Sequence, residues 1–104
     1  LRRKKRIVKD GEKWMSKVAK RYYFKGRVQG VGFRYHTHSI AAAFPVQGFV
    51  QNLPDGRVEM HAEGEEEVLA ALVEAIQDRF TGYIHSYEVQ DVTALQLKGF
   101  EIRR

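Results

Sequence analysis

A chain of 104 residues with a formal net charge of +5 and no cysteine is long enough for one domain with a two-layered core and too short for a second. Lacking cysteine, it has neither a disulfide scaffold nor a thiolate metal site, which suits a reducing, cytoplasmic setting. No apolar run approaches the roughly 18 residues of a membrane span. The basic excess is local: residues 1–20 hold nine Lys or Arg against two Asp or Glu, and the remainder holds nine against eleven.

In chain order, residues 1–20 are expected to form a basic, disordered N-terminal extension, with the domain proper at 21–104. An arm such as Leu1-Arg-Arg-Lys-Lys-Arg6 can contact nucleic acid or acidic lipid, although a solvated extension explains it more simply. From Arg21 to Val28 the apolar positions Tyr22, Phe24 and Val28 fall on one face at the two-residue period of a strand. A loop with glycines at 30 and 32 then leads into a helix expected over Phe33 to Phe44. Pro45 ends that helix, because its ring disfavours the helical conformation at the residue before it.

Gln47 to Asn52 is expected as the second strand, and Leu-Pro-Asp-Gly56 as a tight turn. Val58, Met60 and Ala62 alternate with Arg57, Glu59, His61 and Glu63, the pattern of a half-buried strand in hairpin with the one before. A second helix opens at Glu65-Glu-Glu67 and keeps Leu69, Leu72, Val73, Ile76 and Phe80 on one side. Tyr83 to Val89 is expected as the fourth strand and Lys98 to Arg103 as a short terminal one. The order β-α-β-β-α-β with a terminal strand, joined by right-handed crossovers, predicts an α+β ferredoxin-like sandwich. Both helices then lie on one face of an antiparallel sheet.

The chemistry is concentrated at Gly26-Arg-Val-Gln-Gly-Val-Gly-Phe-Arg34. A strand, a glycine-containing loop and a helix N-terminus gather backbone N–H groups around one point, with the positive end of the helix dipole behind them. That is an anion cradle. Arg34 adds a planar fork of donors that matches two oxygens of a phosphate. The segment lacks the Lys-Ser/Thr of a P-loop and the third glycine of a dinucleotide fingerprint, and no cysteine is present to attack phosphorus. Chemistry here must use water and a leaving group that departs unprotonated. A carboxylate qualifies, since its conjugate acid has a pKa of roughly 4, so an acyl phosphate fits and an alkyl ester does not.

Gly26 to Arg34, together with Gly48-Phe-Val-Gln-Asn52-Leu-Pro-Asp-Gly56-Arg-Val58 and on to Gly64, resembles both signature segments of the acylphosphatases. The resemblance runs over about residues 22–102. It implies that Arg34 and the loop N–H groups of Gln29, Gly30, Val31, Gly32, Phe33 and Arg34 bind the phosphoryl group. It also implies that Asn52 holds the attacking water. The implied products are a carboxylate and inorganic phosphate, with no metal and no cofactor, in a monomeric enzyme.

Other residues read more plainly. His36 and His38 are two apart on a helix and cannot make an i, i+4 metal pair, and His61 and His85 sit on separate strands without a matching ligand set. Asp55 occupies a turn position that aspartate favours, which explains it better than a general-base role. Tyr22, Tyr23, Tyr83 and Tyr87 suit a sheet as readily as a base-stacking platform. Two alternatives of other classes stay in view: a nucleic-acid-binding module, and a catalytically idle anion-binding domain on the same fold. The expected third strand lacks the aromatic residues that would stack bases.

Overall fold

The computed structural model describes residues 17–104. Seven elements follow in order: β1 (Lys17–Gly26), α1 (Phe33–Ala41), β2 (Gln47–Asn52), β3 (Val58–Glu65), α2 (Glu66–Arg79), β4 (Ile84–Val92) and β5 (Phe100–Arg103). One sheet has the strand order β4-β1-β3-β2-β5. Its first four strands are antiparallel neighbours, and β5 lies parallel to β2. This is the expected ferredoxin-like sandwich, with one correction: the terminal strand makes the sheet mixed. After β4 the chain crosses the sheet through residues 93–99 before pairing, so β5 runs in the same direction as β2.

A second correction concerns the start of β1. The strand begins at Lys17, four residues before its expected start, so Lys17–Lys20 belong to the sheet rather than to an extension. Charge explains the difference: Lys17 lies opposite Glu65, and Lys20 Nζ reaches Asp91 at 2.6 Å and Glu66 at 3.8 Å. Opposite charges on neighbouring strands favour pairing where the apolar pattern is weak. The rest of the expected extension, residues 1–16, lies outside the described residues.

The core sits between the helices and one face of the sheet. Tyr22 and Phe24 from β1, Val50 from β2, and Val58, Met60 and Ala62 from β3 meet Phe33, Leu69, Leu72, Ile76 and Phe80. Burying each such large apolar side chain stabilises the fold by about 1.5–3 kcal/mol before entropy is counted. Phe33 is the pivot for the site, because its ring packs against Phe24 at 5.3 Å and Phe80 at 4.5 Å and so pins the first turn of α1 to the sheet. The helix stops at Ala41, three residues short of the expected end. Ala43 and Phe44 bond to carbonyls three residues back, tightening the last turn before Pro45.

The third correction lies on β3. Its alternating pattern predicts one wet face, yet Glu59, His61 and Glu63 are buried along with Val58, Met60 and Ala62. The outer face is closed by Phe49, stacked on His61 at 5.4 Å, and by residues 93–99. Glu63 accepts hydrogen bonds from the main-chain N–H groups of Leu95 and Leu97. Within this cluster Arg21 donates through Nε and Nη2 to His61 Nδ1, at 3.1 and 3.0 Å. A guanidinium can only donate, so the ring proton sits on Nε2, which donates to Glu63 at 2.7 Å.

Candidate active site

The loop between β1 and α1 has the backbone of an anion nest. Gly30 and Gly32 both sit at φ 78°, and Val31 between them lies outside the left-handed region. That alternation turns successive N–H groups toward one side. At both glycines an L side chain would strain the backbone. Gly32 is the N-cap of α1 and offers no side-chain cap, and the first helical turn has no acidic residue. Among the described residues, no backbone carbonyl accepts from the N–H groups of Gln29 to Tyr35; the first helical bond runs from His36 to Gly32, at 3.0 Å. A row of free donors at a helix N-terminus is the arrangement that favours a bound anion.

The candidate residues occupy distinct places around this loop. Val28 and Phe33 are buried in the core, so Phe33 contributes only its N–H to the cradle. Val31 is half-buried, and Gly30 and Gly32 are exposed. Arg34, also half-buried, donates through Nη1 to the carbonyl oxygen of Arg103 at 3.0 Å. Arg103 is the strand partner of Gln51, the residue before Asn52. The guanidinium is therefore anchored at the end of the sheet where Asn52 also lies.

Asn52 closes β2 opposite Val58, and its Oδ1 is buried with no hydrogen-bond partner. A buried acceptor without a protein donor costs about 1–3 kcal/mol, so a water or ligand hydrogen would be stabilising at this end of β2. Among the described residues, the other buried polar side-chain atom of this kind is Thr37 Oγ1, one helical turn beyond Phe33.

The turn after Asn52 is tightly held. Leu53 donates to the Arg57 carbonyl at 2.8 Å, and Gly56 to the Leu53 carbonyl at 3.1 Å. Asp55 accepts from the Arg57 main chain and from Arg57 Nε, at 3.0 and 2.9 Å. The main-chain bond from Arg57, with its side-chain bond and charge, holds the Asp55 carboxyl below the usual carboxylate range. A group so stabilised as the anion is a poor proton acceptor at neutral pH, which agrees with a turn role rather than a base.

Sequence reasoning missed two participants in this geometry. The Gln29 side chain reaches across from the loop and donates through Nε2 to the carbonyls of Leu53 and Arg57, at 2.8 and 2.9 Å. The main-chain carbonyl of Arg103 anchors Arg34. Neither contact has a sequence signal, since both acceptors are backbone atoms brought near by folding. The histidines form no ligand set: the His36 ring lies beside Gly32 with Nε2 3.1 Å from Arg79 Nη2, and His61 is enclosed between Arg21 and Glu63. Among the described residues, no group of three or more His, Asp or Glu is placed to hold a metal ion, and no helix is long and apolar enough to cross a membrane.

A ferredoxin-like sandwich carrying a glycine nest and an arginine at one helix N-terminus has the form of an anion-binding domain. A model of the acylphosphatase family matches residues 20–102. An acylphosphatase of Methanospirillum hungatei is 42% identical over 81 residues, covering 76% of this chain and 89% of that one. One from Pseudomonas paraeruginosa is 38% identical over 91 residues, covering 86% of this chain and all of the other. The crystal structure of an acylphosphatase from Bacillus subtilis superposes with a TM-score of 0.76 at 37% identity, covering 84% of this chain and 99% of that one. The chain belongs to the acylphosphatase family, and by that membership it is an acyl phosphate hydrolase.

Proposed function

We propose that this protein hydrolyses acyl phosphates by in-line attack of water on phosphorus. Arg34 and the N–H groups of Gln29 to Arg34 hold the three equatorial oxygens, and Asn52 orients the water. The water oxygen forms the new bond to phosphorus as the bond to the acyl oxygen breaks, and the water's protons stay on the phosphate formed or pass to solvent. The electron pair leaves on the carboxylate, which needs no acid because its conjugate acid is strong enough, with a pKa of roughly 4. Donors aimed at developing charge, already in place before reaction, supply most of the acceleration in such a mechanism.

One observation carries the assignment of roles: the buried, unpartnered Oδ1 of Asn52 on the strand next to the one that anchors Arg34. An amide offers both an acceptor and a donor, so Oδ1 can take one hydrogen of a water and leave its lone pair toward phosphorus. The runner-up readings have less support. The third strand, Val58–Glu65, has no Phe, Tyr or Trp, and its one ring, that of His61, is buried and so closed to base stacking. An idle anion sensor would bind phosphate equally well but has no need of the orphaned amide. Release of inorganic phosphate from benzoyl phosphate, with and without EDTA, tests the proposal. Turnover unaffected by the chelator is expected, and strong inhibition by EDTA would overturn the metal-free mechanism.

A further inference from the structure

We infer that the Gln29 side chain is a positioning residue that sets Asn52 against the phosphate cradle. This rests on the reading of Asn52 given above. The two halves of the site come from separate connections: the cradle follows β1 and leads into α1, and Asn52 ends β2. Both hydrogens of the Gln29 amide are spent on the far half, on the carbonyls of Leu53 and Arg57 at 2.8 and 2.9 Å. These are the carbonyls that also close the turn internally, through Gly56 and Leu53 at 3.1 and 2.8 Å. One side chain therefore ties the residue that opens the cradle to the residue following Asn52.

The chemistry of the contact makes glutamine specific. Two carbonyl acceptors require two donors on one planar, uncharged group, which a primary amide provides. Glutamate has the same shape, but when ionised it presents only acceptors to two carbonyl oxygens. Asparagine is one methylene shorter and cannot reach both. Reacting groups displaced by about 1 Å lose on the order of 100-fold in rate, so loosening this tie should appear in the chemical step. The main-chain N–H of Gln29 remains when the side chain is cut back to alanine, so the phosphate affinity of that variant should change little.

The test uses the full chain with Gln29→Glu and Gln29→Ala, benzoyl phosphate as substrate and inorganic phosphate as competing product. Both variants are expected to lose kcat by about 10- to 100-fold, and in Gln29→Ala, which adds no charge beside the cradle, the inhibition constant for phosphate stays within about threefold. Gln29→Glu carries a second signature. As pH falls, its carboxyl gains a proton and with it one donor, so its kcat relative to the parent should rise toward acid pH, whereas that of Gln29→Ala stays flat. The Asp55–Arg57 pair at the turn is common to all three proteins and cancels in that ratio. Both variants keeping near-parental kcat would overturn the inference. So would parallel loss of kcat and phosphate affinity with no acid recovery in the glutamate variant, because the side chain would then support the loop alone. Asn52→Ala measured beside them separates this failure from that of the underlying reading: if it keeps full turnover, the role of Asn52 is wrong whatever Gln29 does.

Discussion

The guanidinium of Arg34 and the main-chain carbonyl of Arg103 are joined by a 3.0 Å hydrogen bond from Nη1. One of five donors is committed to the protein, and it fixes the plane in which the others lie. The short terminal strand thus has a direct link to the anion cradle, through a backbone atom that no side-chain substitution removes.

Arg34→Lys should be nearly inactive. A lysine ammonium cannot keep the Arg103 contact and also grip two phosphoryl oxygens, and loss of one transition-state donor typically costs about 100-fold or more in rate. The measurement is kcat/KM on benzoyl phosphate. Near-parental turnover would place the phosphoryl group somewhere else.

The order of elements and the glycine turn before Arg34 were legible from the chain because both have local signatures. The alternation of Val58, Met60 and Ala62 marks a strand, and Gly30 and Gly32 before Arg34 mark a turn into a helix. What escaped was set by contacts between distant segments. The burial of Glu59, His61 and Glu63 depends on residues 93–99 crossing their face, and a polar–apolar alternation cannot announce that cover. The place of Lys17–Lys20 in the sheet is supported by Asp91 and Glu66, which pair with Lys20 from 71 and 46 positions further along the chain. Gln29 was legible as part of the loop, but the use of its side chain as a brace was not.

Glu63 should make stability depend on pH. Burial raises the pKa of its carboxyl, but hydrogen bonds from His61, Leu95 and Leu97 outweigh burial and hold it below the ordinary range. A folded-state pKa below the unfolded value means the stabilisation is present above the unfolded pKa, roughly 4.3, and is lost as pH falls through the folded value. Glu63→Gln removes the charge at every pH. It should therefore lose about 1–3 kcal/mol at neutral pH, with a smaller deficit in strong acid. Thermal melts at the two pH values test this, and equal melting temperatures for variant and parent at neutral pH would rule it out.

A protein starting at Met15 should fold and hydrolyse small acyl phosphates as the full chain does. Lys17 is paired with Glu65 in the sheet, and the family match begins at residue 20. Any affinity for nucleic acid or an acidic surface should go with the deleted arm, which carries seven Lys or Arg. In the full chain that affinity should fall steeply with salt. Loss of catalysis in a truncated protein that still melts cooperatively would show that the arm contributes to the site.

Asn52→Ala separates a hydrolase from an anion sensor. The clamp on phosphate is assigned to Arg34 and the loop N–H groups, and Asn52 is assigned only to the water, through an Oδ1 that no protein donor occupies. Removing the amide should therefore cost turnover, by about 100-fold if it matches other single transition-state contacts. The inhibition constant for inorganic phosphate should stay within about threefold of the parent, the pattern of an interaction made only in the transition state. Because the alanine variant also removes a buried acceptor left without a partner, its melting temperature should hold or rise. A fall in turnover and phosphate affinity together would make Asn52 part of the clamp, and a fall in melting temperature with them would make it a structural residue of the turn.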